Sequence, residues 1–200
     1  MSQPGTTELF ATPRFVVRRL HAHDLAALQR LFEASPDYFM VVHGRLPRTD
    51  EAQMEFAEMP PSTLPHGQRW FAGAWDAHGT LQGVLHFVAD LMAPGVWHIA
   101  LFFIATPLHG TGAARELYGA LEAWMAAAGA HWIRLGVVSG NAKAERFWAR
   151  MGYTQTRVRR GMDTGGKIND MRILVKALRG EPLARYLQSV ARDNPDSPLP

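Results

Sequence analysis

The stretch Ile104-Ala105-Thr106-Pro107-Leu108-His109-Gly110-Thr111-Gly112-Ala113-Ala114 carries an apolar strand into a helix through a Gly-Thr-Gly turn. Glycines let a ligand approach the backbone closely. The first turn of a helix offers unpaired N–H groups and the positive end of the peptide dipole, which suits a phosphate. No Glu or Gln stands three residues after Thr111 to complete a capping box, so those donors are expected to be open. A P-loop is excluded, because no Gly-Lys-Ser/Thr follows. The dinucleotide fingerprint fails too, because the next strand ends Val137-Val138-Ser139-Gly140-Asn141 rather than on an acidic residue. A Gly-x-Gly turn also serves simple tight packing, and that reading stands beside the anion site.

Proton-transfer chemistry has candidates in the preceding strands. His86, Val88 and Asp90 share one face if the segment is extended, and a turn at Ala93-Pro94-Gly95 brings His98 toward them. Two histidines and a carboxylate on a sheet face suit a proton relay. The same trio could hold a metal ion, although nothing else in the chain calls for one. The plainer alternative is a hydrogen-bonded structural histidine and an aspartate that opens a turn.

A second motif follows: Asn141-x-x-Ala144-x-x-x-Trp148-x-x-x-Gly152-Tyr153. Ala144, Phe147, Trp148 and Met151 fall on one helical face, with Gly152 placed to end the helix. Asn141 alone reads as a helix N-cap. In joint order and spacing, the two motifs resemble the GNAT superfamily, the Gcn5-related N-acetyltransferases. The family loop, Gln/Arg-x-x-Gly-x-Gly/Ala, corresponds to His109-Gly110-Thr111-Gly112-Ala113-Ala114, with histidine departing at the first position. The later pattern is matched by Asn141, Ala144 and Gly152-Tyr153.

The resemblance implies acetyl-CoA, or another acyl-CoA, as cosubstrate, with no metal. It implies a splayed sheet whose central strand, near Phe102, Phe103 and Ile104, pairs with the pantetheine amides. The backbone from His109, Gly110, Thr111 and Gly112 to Ala113 and Ala114 would hold the pyrophosphate, and Asn141 would bond the pantetheine or help hold the gap open. Many members carry a tyrosine where this chain has Trp148; the indole could line the thioester pocket but is no useful acid. Tyr153 or Tyr118 could replace that acid, or water could protonate the thiolate. His86, Asp90 and His98 are the candidate bases, and a strand N–H such as that of Ile104 is a candidate oxyanion donor. A catalytically silent acyl-CoA-binding or sensing module is the alternative of a different class.

These residues need a scaffold. Strands are expected at 15–20, 70–75, 83–90, 96–104, 132–138, 153–159 and 171–177. Helices are expected at 24–35, 50–58, 112–128, 141–151 and 182–193, the first stopped by Pro36-Asp37. The order predicts an α/β fold in a single GNAT-like domain, its mixed, mostly antiparallel sheet splayed at the middle and helices on both faces. The expected divisions are a flexible 1–12, a transferase-like domain at 13–178, a C-terminal helix at 179–193 and a flexible tail at 194–200. Acceptor-binding loops are expected at Pro36 to Arg48 and in the turn between the last two strands.

The 200 residues are enough for one well-cored domain, and 47% hydrophobic with 20% charged residues excludes wholesale disorder. The absence of cysteine excludes disulfides, thiolate catalysis and cysteine zinc sites. The net charge of +3 is small and the arginines are scattered, so a nucleic-acid partner ranks last. The longest apolar run, Val96 to Leu108, is broken by His98 and Pro107 and falls short of the about 20 residues that span a bilayer. Residues 1–12 lack a basic n-region and an apolar core, so no membrane partner is expected and the expected address is cytoplasmic. The expected partner is a small-molecule or protein amine, and a homodimer is possible through a sheet edge or the last helix.

Overall fold

The structure, a computed structural model, describes residues 8–199. Strands β1 (Glu8–Ala11), β2 (Val16–Arg19), β3 (Arg69–Trp75), β4 (Leu81–Val88), β5 (Val96–Ile104), β6 (Trp132–Val138), β7 (Thr154–Asp163) and β8 (Ile168–Ala177) make one sheet, ordered β1-β2-β3-β4-β5-β6-β8-β7. The helices are α1 (Leu25–Glu33), α2 (Pro36–Val42), α3 (Glu51–Ala57), α4 (Ala113–Ala127), α5 (Ala142–Arg150) and α6 (Leu183–Ser189). Among the described residues only β5 and β6 run parallel; the other neighbours are antiparallel.

Strand alternation sorts the core into two layers. Ala72, Ala74, Ile133, Leu135 and Val137 face α4 and α5, meeting Leu117, Leu121, Met125 and Trp148. Phe71, Val84, Leu101 and Phe103 face the other way, onto Leu28, Leu31, Phe32 and Phe39. On that same side, past β5, Trp132 and Val175 pack on Tyr186 and Val190. One face therefore carries α4 and α5. The other carries α1–α3 over the first half of the sheet and α6 over the second, leaving a furrow between them.

The two halves are joined narrowly. β5 pairs with β6 only from Val96↔Trp132 to Ile99↔Leu135. Beyond that point β5 stays with β4 as far as Ile104, and β6 stays with β8 as far as Val138. The strands diverge at their C-terminal ends, where open sheets place ligands. A bulge marks the start of the split: His86 opposes Leu101 and Phe87 opposes Ile99, so Ala100 is the extra residue. Ala100 and Gly136, each in a central strand, are consequently exposed.

Across the furrow, β6 is tied to the C-terminal segment by a buried charge pair. Arg134 Nε lies 2.6 Å from Asp193 Oδ2 and Nη2 lies 3.1 Å from Oδ1. Asp193 is 0% exposed, and Tyr186 Oη donates to it at 2.5 Å. These partners hold the carboxyl below the usual aspartate range despite its burial.

Three expectations change. Pro36 does not end the helical region but starts α2, at a first-turn position where its fixed φ and missing N–H cost nothing. Residues 8–11 of the expected flexible N-terminus form β1, paired with β2, while residues 1–7 lie outside the described residues. The expected loose tail is tethered, because Arg157 Nη1 donates to the Leu199 carbonyl at 2.7 Å. Among the described residues no helix is long and apolar enough to cross a membrane.

Asp193→Asn leaves Arg134 buried without its counter-charge and is expected to cost about 3–5 kcal/mol in urea unfolding. The double variant Arg134→Met/Asp193→Leu should cost much less. Because the Asp193 pKa is depressed, the pair's contribution is complete above the ordinary aspartate pKa and is lost as pH falls through the lower folded value.

Candidate active site

The glycine turn opens the helix as a cradle. Gly110 and Gly112 have φ of +78° and +88°, conformations that glycine takes without strain. A Cβ at either would meet nothing within 4 Å, so the backbone angle, not tight packing, requires the glycines. Gly112 is the N-cap of α4 and provides no side-chain cap. Among the described residues, the N–H groups of Gly110, Gly112, Ala114 and Arg115 meet no acceptor, while His109 N–H donates to the Thr106 carbonyl and Ala113 N–H lies 3.4 Å from Thr111 Oγ1. Glu116 in that first turn is drawn aside by Arg14, whose N–H donates to it at 3.0 Å. Of the backbone donors expected from His109 to Ala114, those of Gly110, Gly112 and Ala114 are open, and the Arg115 N–H is open beside them. His109 acts through its ring instead, which lies 3.1 Å from the Ile104 carbonyl at the end of β5.

That contact orients the strand. N–H and C=O of one extended residue point to one side, and neighbours alternate. Ala105 N–H donates to Gln82 beside β4, whereas the Ile104 carbonyl turns away toward His109. Phe102 and Ile104 therefore present their backbone groups to the gap between β5 and β6. Phe103 presents its own to β4: its carbonyl oxygen lies 2.8 Å from where a Cβ of Gly83 would sit. Of the three expected strand contacts, two face the gap.

On the furrow side a cleft of about 340 Å³ meets the gap at Ala100. His86 and His98 both line it, as the strand register required. Asp90 does not join them. β4 ends at Val88, and Asp90, at φ 51°, accepts the Gly95 N–H at 2.6 Å across the tight turn. It is a turn residue, and the three-member relay does not assemble.

The two histidines are in different states of engagement. His86, 2% exposed, uses both ring nitrogens: Arg69 Nε donates to Nε2 at 2.8 Å, which leaves Nδ1–H to donate to Glu55 at 3.1 Å. Arg69 also donates to the Phe56 carbonyl at 2.8 Å, clamping the C-terminus of α3 to the sheet. His98 Nδ1 lies 3.1 Å from the Arg134 carbonyl and 3.2 Å from its Nη1. Desolvation, then the Arg134 charge, pushes His98 down to about 3, so it is neutral at physiological pH. His86 is thus engaged at both nitrogens, and His98 is held neutral.

A carboxylate that sequence reading missed is better suited. Glu58 follows α3 immediately and lines the cleft, and its ligand atoms lie with those of Glu55 and His86 within 4.8 Å of one another. Glu58 keeps an exposed side chain, yet desolvation of its carboxyl, reinforced by the Glu55 charge, holds it above the usual carboxylate range. Nothing local in its neighbourhood, beyond the Pro60-Pro61 that ends the segment, singles it out. Arg134 was missed as well, although a lone arginine in the apolar run Trp132 to Val138 signals a buried partner.

The remaining candidates lie deeper. Asn141 caps α5, its Oδ1 accepting the Ala144 N–H at 3.2 Å. Trp148 is buried and backs Phe102, ring centroids 5.5 Å apart. Tyr153 Oη hydrogen-bonds Tyr118 Oη at 3.0 Å, and Tyr118 in turn bonds Glu122. Burial raises the Tyr153 phenol well above its ordinary pKa. This hydroxyl is enclosed under α4 and is not brought to the cleft.

The two expected acceptor loops do meet. The C-terminal carbonyl of α2 at Val42 accepts from Thr164 Oγ1 at 2.6 Å and Asn169 Nδ2 at 2.8 Å. The β7–β8 hairpin thereby caps α2 and bridges the two halves of the split sheet.

This architecture is shared. In fold the chain is similar to an acetyltransferase from Thermus thermophilus, with 20% identity over 84% of this chain and 100% of that one and a TM-score of 0.64. It is similar to spermidine N-acetyltransferase from Vibrio cholerae, solved with CoA and spermine, at 18% identity over 82% and 95% with a TM-score of 0.63. It is also similar to ribosomal-protein-S5-alanine acetyltransferase from Vibrio fischeri, at 15% identity over 86% and 98% with a TM-score of 0.65. No curated protein matches it by sequence. The family model for acetyltransferases of the GNAT family matches residues 28–153, and the chain belongs to that family.

Proposed function

We propose that the protein transfers an acetyl group from acetyl-CoA to a primary amine seated in the furrow, by direct attack in a ternary complex. The observation that carries this reading is the split between β5 and β6, with an anion-binding helix start at one end and an ionisable cleft at the other. The open N–H groups of Gly110, Gly112, Ala114 and Arg115 suit a pyrophosphate. The gap-facing backbone of Ile104 and Phe102 suits the two amides of a pantetheine arm. From Ile104 to Ala100 the strand covers about 13 Å, a span that suits a thioester end at the bulge. Acetyl-CoA supplies the activated acyl group and a thiolate leaving group.

The chain's own residues supply orientation and proton transfer. An ordinary alkyl amine is mostly protonated at pH 7, so a group that removes a proton is needed before nitrogen can attack the carbonyl carbon. Glu58, with its raised pKa, takes that proton. The N–C bond forms as the C–S bond breaks, the electron pair leaves on sulfur, and the second proton shed by the nitrogen passes through water to the thiolate. Neutral His98 contributes a hydrogen-bonding ring at the mouth of the gap, and His86 with Arg69 positions α3 so that Glu58 reaches the cleft. The oxyanion donor is a backbone N–H near the bulge, in preference to that of Ile104 at the phosphate end.

Acetyl-CoA at about 100 times its dissociation constant should stabilise the protein by about 2.7 kcal/mol in thermal unfolding. Gly112→Glu should abolish the shift. Arg115→Glu, at an exposed position compatible with the helix start, should weaken binding about tenfold, as expected for charge reversal at a phosphate site. Stabilisation without turnover of any amine would favour the binding-module reading.

Glu58→Gln should lower kcat by about 10²–10⁴, the usual contribution of a general base. In the parent enzyme kcat/KM should rise with pH as Glu58 loses its proton, and in Glu58→Gln that limb should disappear. A variant that retains both the rate and the limb would place the base elsewhere.

A further inference from the structure

Much of the cleft wall is hydrocarbon and thioether. Met59, Leu64, Met92 and Met162 line it, brought from three separate places: the segment after α3, the turn between β4 and β5, and β7. The first two are fastened together. The Leu64 N–H donates to the Pro61 carbonyl at 2.9 Å, and the Met92 N–H donates to the Pro65 carbonyl at 2.8 Å. Met92 itself stands at φ 71°, a region that suits glycine or asparagine and strains a bulky side chain. Its turn over-determines that conformation: the Leu91 N–H donates to the Val96 carbonyl at 2.8 Å, and Asp90 accepts the Gly95 N–H at 2.6 Å. Backbone strain of this kind persists where surroundings enforce it, and it clusters at ligand-binding sites. The charges of the cleft are already committed. Glu58 is the one carboxylate among its lining residues. Arg134 is engaged by Asp193, Arg159 Nη2 stands 3.8 Å from the same carboxylate, and Arg159 and Arg192 each have further partners within the protein.

We infer that the acceptor is a primary monoamine with an apolar body, and that Met92 is a residue that selects it. This rests on the acetyl-transfer reading above. The nitrogen goes to Glu58, which removes its proton, and the hydrocarbon lies against Met92, Leu64 and Met162. Methionine suits this task, because its flexible, polarizable thioether adapts to a chain of carbon atoms. The second ammonium of a polyamine would meet no second carboxylate in the cleft and would share it with three guanidiniums. The carboxylate of an amino acid would have to compete with the partners those guanidiniums already hold. A neutral end carries neither cost. The cleft volume of about 340 Å³ suits a small molecule of this class. Each methylene moved from water onto the wall is worth up to about fourfold in binding.

Two sets of probes test the inference: ethylamine, butylamine and hexylamine for length, and hexylamine, 1,6-diaminohexane and 6-aminohexanoate for the charge of the far end. CoA release is followed for each, and acetyl-CoA binding is measured separately by thermal shift without an acceptor. In the first set kcat/KM should rise by about two- to fourfold per methylene. In the second, hexylamine should exceed both the diamine and the acid by tenfold or more. Met92→Gly, which the backbone angle accommodates, should raise KM for hexylamine at least tenfold and leave that for ethylamine within about twofold; a purely structural role would move both alike. Should that variant fail to fold, Leu64→Asp in the exposed segment after α3 should reverse the preference between hexylamine and the diamine. A flat length series, or a diamine or acid within tenfold of hexylamine, would overturn the assignment of the acceptor. A variant that changes all amines equally, or none, overturns the selecting role of the wall. Turnover of none of the probes while acetyl-CoA still stabilises the fold overturns this inference alone. Absence of that stabilisation overturns the reading on which it rests, and this inference with it.

Discussion

The limited pairing of β5 with β6 is the constraint on which the rest depends. Four residue pairs, Val96↔Trp132 to Ile99↔Leu135, hold the two half-sheets together. Past them each strand keeps a stronger commitment elsewhere, β5 to β4 and β6 to β8, so neither can close the gap. The bulge at Ala100 adds local twist where the divergence begins. Backbone groups that would normally be satisfied by a neighbouring strand are left along the gap, and such groups favour a ligand with amides of its own.

A split sheet is mechanically weak unless it is braced. Three long-range contacts provide the braces. The buried Arg134–Asp193 pair ties β6 to the C-terminal segment, and Tyr186 completes its hydrogen bonding. The β7–β8 hairpin caps the end of α2 through Thr164 and Asn169. Arg69 holds α3 to β3 and β4 through His86 and the Phe56 carbonyl. Each brace borders the cleft, so elements that stabilise the fold also set its shape.

His86 and His98 illustrate how burial redirects chemistry. On composition alone, a histidine titrates near neutrality and suits proton transfer. Here Arg69 occupies one nitrogen of His86, and desolvation beside Arg134 keeps His98 neutral. The same desolvation acts with the opposite sign on a carboxyl, raising Glu58 and making it a better base. In the proposed reaction the proton acceptor is therefore a glutamate on another element rather than a histidine.

What was legible in the sequence is what depends on neighbours along the chain. Hydrophobic periodicity located β5 and β6 at their observed limits, and Gly110 and Gly112 announced an uncapped helix start because positive φ is a local property. Asn141 as a cap and Gly152 as a helix stop belong to the same class. Pro36 was misread because a proline that stops one helix can equally begin the next, and only packing against α1 and β5 selects α2. The meeting of Glu58 with His86, of Arg134 with Asp193 and of Val42 with Asn169 joins residues 28, 59 and 127 positions apart. No local pattern encodes these pairs. The tertiary structure decides them, since desolvation and Coulomb interaction act through space and exist only once the sheet has brought the groups together.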